Sequence, residues 1–159
     1  MNIRVGQGFD VHAFESGDHV TLCGVKIPHN RGLKAHSDGD VALHALCDAL
    51  LGAATLGDIG QHFPPTEQEW RDADSRALLR RVVKLLRAAQ WGVVNVDVTL
   101  VCERPRIGPH RVAMLANLAT DLGVSKDRIS IKATTTEGLG YCGREEGIAA
   151  MAIALIERQ

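Results

Sequence analysis

The sequence predicts an α/β or α+β fold, with helices packed on a sheet. Three observations carry this. Segments with period-two alternation recur along the chain. Segments with helical periodicity lie between them. No repeat, low-complexity tract or linker divides the 159 residues. A chain of this length is expected to form one domain, 1–159, and to bury roughly 70% of its unfolded surface, enough for a core without staples.

Each element has its own signal. Ile3, Val5, Phe9 and Val11 share one parity and read as a strand. Val20 to Ile27, broken at Gly24, reads as a short hairpin. The polar turn HSDGD at 36–40 precedes a helix whose apolar stripe is Val41, Leu43, Ala45, Leu46, Ala49 and Leu50, ending at Gly52 or shortly after. Gly57 to Asp72, with Pro64-Pro65, reads as a loop. Asp74 is placed to cap a second helix with Leu78, Leu79, Val82, Leu85 and Leu86 inward and Gly92 as its stop. Val94, Val96, Val98 and Leu100 alternate with polar residues as a half-buried strand. A third helix is expected from near Pro109 to Gly123, and a strand at Ile129, Ile131 and Ala133. The last segment is apolar on both parities, which fits a buried strand or a helix equally.

Composition narrows the function. Hydrophobic residues are 45% and charged residues 23%, so the chain is globular rather than disordered. Eighteen Lys and Arg against nineteen Asp and Glu leave a net charge of −1, which excludes a large basic field for nucleic acid. Two Trp, one Tyr and three Phe are too few to make base stacking a main binding device. The longest apolar run, Ile148 to Ile156, is short of the roughly 20 residues a membrane span needs. MNIRVGQGFDVH lacks the apolar stretch of a secretory signal, and Cys23, Cys47, Cys102 and Cys142 have no CxxC spacing. Both fit a cytoplasmic location with free thiols.

Two constellations could carry chemistry. Asp10 and His12 lie two apart on a strand, so both side chains leave one face, about 6–7 Å apart at Cα. Asp40, His44 and Asp48 recur every four residues on one helix face, where i,i+4 hydrogen bonds are the plain alternative. His44 sits among apolar neighbours, as either a core histidine or a ligand. Taken together, Asp10, His12 and His44 make an Asp-His-His metal site that leaves a fourth zinc position open. The second constellation is ATTTEGLGYCGREEG. Thr134, Thr135 and Thr136 offer hydroxyls, Glu137 a hard oxygen ligand and Arg144 a fixed cation, a set suited to phosphates and a magnesium-like ion. It matches no Walker pattern, and an ordinary flexible loop is the alternative.

Five stretches resemble the 2-C-methyl-D-erythritol 2,4-cyclodiphosphate synthase family. They are FDVHAF at 9–14, LKAHSDGDVALHALCDALLGAA at 33–54, LGDIGQHFP at 56–64, ADSRALL at 73–79 and KATTTEGLGYCGREEGI at 132–148. The resemblance runs from Val5 to about Ile156. It implies an α+β sandwich, a mixed sheet with helices on one face, with the last segment a strand. It implies a homotrimer with active sites between subunits, and release of CMP from a CDP-linked substrate, 4-diphosphocytidyl-2-C-methyl-D-erythritol 2-phosphate. Asp10, His12 and His44 would bind zinc, and Glu137 a second ion, magnesium or manganese. His36, Ser37, Asp58, Ile59, Gly60 and Phe63 would line the methylerythritol phosphate end, with Asp10 and His12 also touching substrate. Cys102, Arg106, Ile107 and Gly108, with Thr134, Thr135, Thr136, Glu137, Tyr141 and Arg144, would hold the cytidine diphosphate end. His36 and Thr135 correspond to catalytic, transition-state-stabilising positions. Phe9, Arg144 and Glu146 resemble residues around a cavity on the threefold axis that could take a prenyl diphosphate.

Two positions depart from the family pattern. Phe63 is followed by Pro64-Pro65-Thr66-Glu67, with proline where the family has an aspartate that Glu67 would have to replace. Arg106 stands where lysine is common. Two other functions use the same residues. One is a zinc phosphohydrolase acting through metal-bound water. The other is a structural metal site in a trimeric ligand-binding module.

Overall fold

A computed structural model describes residues 2–159. The strands are β1 (Ile3–Glu15), β2 (His19–Leu22), β3 (Val25–Pro28), β4 (Gly32–Leu33), β5 (Trp91–Val101), β6 (Ile129–Thr134) and β7 (Gly147–Arg158). The helices are α1 (Val41–Ala53), α2 (Ile59–His62), α3 (Ser75–Ala88), α4 (Arg111–Leu122) and α5 (Gly140–Gly143). Five strands form a mixed sheet in the order β4-β1-β7-β5-β6, with only β5 and β6 parallel. β2 and β3 make a separate hairpin. The ambiguous last segment is thus a strand, central between β1 and β5; its helix-facing parity is buried, while Met151 and Ile153 of the other parity lie on the open face.

The helices cover one face of the sheet. Val96, Val98, Leu100, Ala150, Ala152 and Ala154 point into that layer and are buried. The opposite face is open: Val5 is 68% exposed and Phe9 50% exposed, with Ile3, Val11, Met151 and Ile153 beside them. Phe9 pairs across the strands with Met151. The apolar parity of β1 that marks it as a strand is therefore its outward parity.

α1 is not the one-sided stripe that its sequence suggests. From Val41 to Leu51 every residue but Asp48 is buried, so it is a central helix enclosed on all sides. It lies very close to β1. A Cβ added at Gly8 would meet Ala45 O at 1.9 Å, and one at Gly6 would meet Ala49 O at 2.0 Å. Only glycine on the strand, facing Ala45, Ala49 and Ala53, allows this approach.

The polar residues of α1 do not bond to each other along the helix. Asp40 caps α1 through Leu43 N–H (3.1 Å) and also accepts from Cys23 N–H (3.0 Å) and Gly24 N–H (2.7 Å) in the β2–β3 turn. Cys23 and Gly24 both have positive φ, the geometry of a tight hairpin turn. Burial pushes the Asp40 carboxyl up to about 6, against these three donors. Asp48 accepts from Ile59 N–H at 2.8 Å and so pins the start of α2.

Three boundaries differ from expectation. The segment 57–72 contains α2 and a short 3-10 turn at Gln68–Trp70 rather than loop alone. α3 is capped by Asp74 but ends before Gly92, which belongs to β5. The turn falls on Gln90 at φ 62, because buried Trp91 already starts the strand. Pro109 lies in a 3-10 turn ahead of α4, which does stop at Gly123. Among the described residues no helix is long and apolar enough to cross a membrane, and all four cysteines are free.

The glycine contact gives a direct test. Gly8→Ala must push α1 away from β1, and overpacking of this kind costs about 1–3 kcal/mol or more. We expect a melting temperature lower by about 3 °C or more, and less bound metal. Unchanged thermal denaturation would show that the helix has room to move.

Candidate active site

β1 carries Asp10 and His12 on its helix-facing side, and α1 carries His44 one turn in from its cap. The close approach of these two elements brings the three side chains together. His12 Nε2 lies 2.9 Å from Asp10 Oδ2, His44 Nδ1 lies 3.3 Å from the same oxygen, and the two ring nitrogens are 3.4 Å apart. Ligands about 2.0–2.1 Å from a tetrahedral metal stand about 3.3 Å from one another. The triangle therefore fits a divalent cation such as zinc, and among the described residues it is the group of that kind.

The tautomers suit this role. His12 Nδ1 is 3.1 Å from Gly39 O, a carbonyl that can only accept, so Nδ1 carries the proton and Nε2 is free for the cluster. Burial disfavours both charges. Even so, the histidines hold the Asp10 carboxyl well below the usual carboxylate range, and Asp10 raises His12 above the ordinary imidazole value. His44 is only 7% exposed.

The triangle borders a cavity of about 340 Å³ lined by His12, Lys34, His36, Ser37, His44, Ile59, Gly60, Phe63, Pro65, Trp70 and Leu78. Of the residues expected at the methylerythritol end, His36, Ser37, Ile59, Gly60 and Phe63 line it. Asp58 does not. It is exposed and caps α2 by accepting from Gln61 N–H at 3.0 Å. Pro65 is on the wall, whereas Glu67 accepts from Trp70 Nε1 at 3.1 Å and is not among the lining residues.

A second cavity, about 430 Å³, is lined by Cys102, Glu103, Pro105, Arg106, Ile107, Gly108, Pro109, Ala133, Thr134 and Thr135. The two loops meet on Glu103. Its Oε1 accepts from Thr136 N–H (3.0 Å), Thr136 Oγ1 (3.3 Å) and Gly138 N–H (3.4 Å). Glu137 follows with φ 55, its N–H donating to Thr135 Oγ1 at 3.2 Å and its residue exposed. Tyr141 and Arg144 are exposed outside this wall, and Arg144 Nε donates to Glu146 Oε2 at 2.8 Å. The two cavities share no residue. One chain holds the metal triangle in one place and the threonine-glutamate loop in another.

Sequence spacing missed several residues here. Glu103 is the brace between the two loops, but it carries no motif of its own. Lys34 and Trp70 reach the first cavity from segments read only as connections.

Comparison with known proteins follows this geometry. The YgbB family model matches residues 3–157. The chain is 62% identical over 156 residues to 2-C-methyl-D-erythritol 2,4-cyclodiphosphate synthase of Thioalkalivibrio sulfidiphilus, covering 98% of each. It is similar to the bifunctional IspDF structure of Campylobacter jejuni, with TM-score 0.95 and 41% identity over 99% of this chain. It spans only 42% of that longer protein. A CDP complex of IspF from Plasmodium falciparum matches with TM-score 0.87 and 34% identity, covering 99% of this chain and 97% of that one. The chain belongs to the YgbB family.

Proposed function

We infer that this chain is an enzyme that converts 4-diphosphocytidyl-2-C-methyl-D-erythritol 2-phosphate to 2-C-methyl-D-erythritol 2,4-cyclodiphosphate and CMP, in the non-mevalonate isoprenoid pathway. The carrying observation is the Asp10–His12–His44 triangle beside a cavity, on a chain with 62% identity to a synthase of that name. In class it is a phosphorus-oxygen lyase, a single cytoplasmic synthase domain over 1–159.

The substrate brings its own nucleophile, a phosphate monoester already anionic near neutral pH, so no general base is required. One of its oxygens attacks the β-phosphorus, the bond from that phosphorus to the bridging oxygen breaks, and CMP leaves with that oxygen. The obstacle is one anion approaching another. Asp10, His12 and His44 would hold zinc, and Glu137 magnesium or manganese, and these ions would supply the positive charge that offsets this repulsion. The chain's task is alignment. Ile59, Gly60 and Phe63 enclose the methylerythritol portion, with His36 and Ser37 offering polar contacts at its phosphate. Arg106, Ile107 and Gly108, with Thr134 and Thr135, receive the cytidine diphosphate. His36 and Thr135 stabilise the transition state from the two ends.

A homotrimer completes the site. The separation of the two cavities and the open apolar face of β1 and β7 both support it. An anionic prenyl diphosphate on the threefold axis would meet Phe9 and Arg144, although Glu146 already shares the charge of that arginine.

Three measurements test these readings. Incubation with the CDP-linked substrate, followed by ³¹P NMR, should give CMP and a cyclic diphosphate. An open-chain phosphate product would favour the hydrolase, and no turnover the structural metal site.

Mixing inactive His44→Ala with inactive Glu137→Gln, after subunit exchange, should restore about a quarter of full activity if each site joins neighbouring subunits in a random trimer. No recovery in a verified mixed trimer would rule out shared sites.

Below its raised value His12 takes up a second proton, at Nε2, which zinc must displace. Zinc affinity should therefore weaken on acidification, with an onset above 6.5. Asp10→Asn should weaken zinc binding at every pH, because it removes one of the three ligands. Chelator competition across the pH range measures both, and an onset at or below 6.5 would contradict the coupling.

A further inference from the structure

Both edges of the His44 ring are occupied. Nδ1 faces Asp10 and His12. Nε2 lies 3.0 Å from Ser75 Oγ and 3.2 Å from Ser37 Oγ. Ser75 is the first residue of α3, and its burial is complete at 0% exposure. Its hydroxyl donates to Asp38 Oδ1, and its N–H donates to Asp38 Oδ2 at 3.0 Å. Asp38 Oδ1 also accepts from Asp40 N–H at 3.1 Å, so the carboxylate is held by the same loop that caps α1.

The direction of this chain follows from counting protons. A serine hydroxyl has one proton and lone pairs besides. With that proton on the Asp38 side, Ser75 Oγ can only accept from His44. Nε2 then carries the imidazole proton, and Nδ1 presents its lone pair to the metal triangle. Ser37 does not impose this direction. Its Oγ accepts from Gly39 N–H at 3.3 Å, and its own proton remains free to rotate. Asp10 Oδ2 lies 3.3 Å from Nδ1, so the fixed acceptor on the Nε2 side decides which ring nitrogen carries the proton.

We propose that Ser75, fixed by Asp38, is a positioning residue of the metal centre, whose Asp38–Ser75–His44 relay sets the tautomer and plane of His44 and strengthens Nδ1 as a ligand. Ser75 does not line the cavity, and it touches the triangle only through His44 Nε2, the ring edge turned away from Asp10 and His12. It ties the start of α3 to the buried helix α1, so the metal centre is braced from a third element. This inference rests on the metal reading given above.

The test uses the full-length protein, Ser75→Ala and His44→Ala. Removing an outer partner of a metal-bound histidine typically costs 10–100-fold in metal affinity. Chelator competition should show Ser75→Ala binding zinc 10–100-fold more weakly than the unsubstituted protein. In ¹H–¹⁵N spectra of the zinc-loaded proteins, the His44 Nε2–H signal should move upfield and exchange faster with water in Ser75→Ala. A zinc affinity within about twofold of the unsubstituted protein would overturn the proposal. So would an unchanged Nε2–H signal, because a merely structural serine would leave that signal in place. If Ser75→Ala does not fold, the unsubstituted zinc-loaded protein still decides. A His44 Nε2–H far downfield and protected from exchange supports the relay, and one exchanging like an exposed imidazole overturns it. His44→Ala separates this from the metal assignment itself: undiminished zinc in that variant refutes the ligand set, not only the relay.

Discussion

The contact of Gly6 and Gly8 with the backbone of α1 sets the spacing on which the metal triangle depends. Two of its corners stand on a strand and the third on a helix. With side chains at those glycines the helix would have to stand off by ångströms. Donor atoms now 2.9 to 3.4 Å apart would then lose the close spacing a single small cation needs. Ala45, Ala49 and Ala53 complete the fit from the helix side. Small residues here do the work that large apolar ones do elsewhere in the core.

Buried and half-buried carboxylates then organise what surrounds the triangle. Asp40 joins the hairpin turn to the start of α1, and Asp48 fixes α2 beside the first cavity. Asp121, buried on α4, accepts from Arg76 Nε at 2.7 Å and Arg80 Nη1 at 3.0 Å on α3. Each acid has donors from a different element, which is what makes its burial tolerable. The cavity wall is thus held by directional bonds as well as by packing. The second cavity follows the same rule, with Glu103 gathering the amides of the threonine-rich loop.

Much of this was legible in one dimension. Alternation identified β1, β5 and β6, and the caps at Asp74 and Gly123 bounded two helices. The DxH pair and His44 are brought together as their spacing suggested. What stayed hidden has a physical reason. The outward parity of β1 is apolar, so hydrophobicity alone would assign its faces the wrong way round. The helix α1 has polar residues every four positions, which mimics a solvated face. Those acids instead reach backbone amides far along the sequence, and no periodicity records such partners. Ser75 meets His44 across 31 positions. Asp58 belongs to a helix cap, and Gln90 turns without a glycine, because local geometry chose among options that the sequence leaves equal.

One strand presents the metal ligands on one side and Phe9 and Val11 on the other. Its alternation makes the two surfaces share a single frame. Inserting one residue between Phe9 and Asp10 would turn both ligands outward and carry Val11 toward the helix. Substitution is a different matter, since a change at an outward position leaves the inward ones where they are. Chain length in this strand is therefore rigidly constrained, while the chemistry of its outer face is free to diverge. An engineer could change what the outer face of this strand packs against and leave Asp10 and His12 where they are.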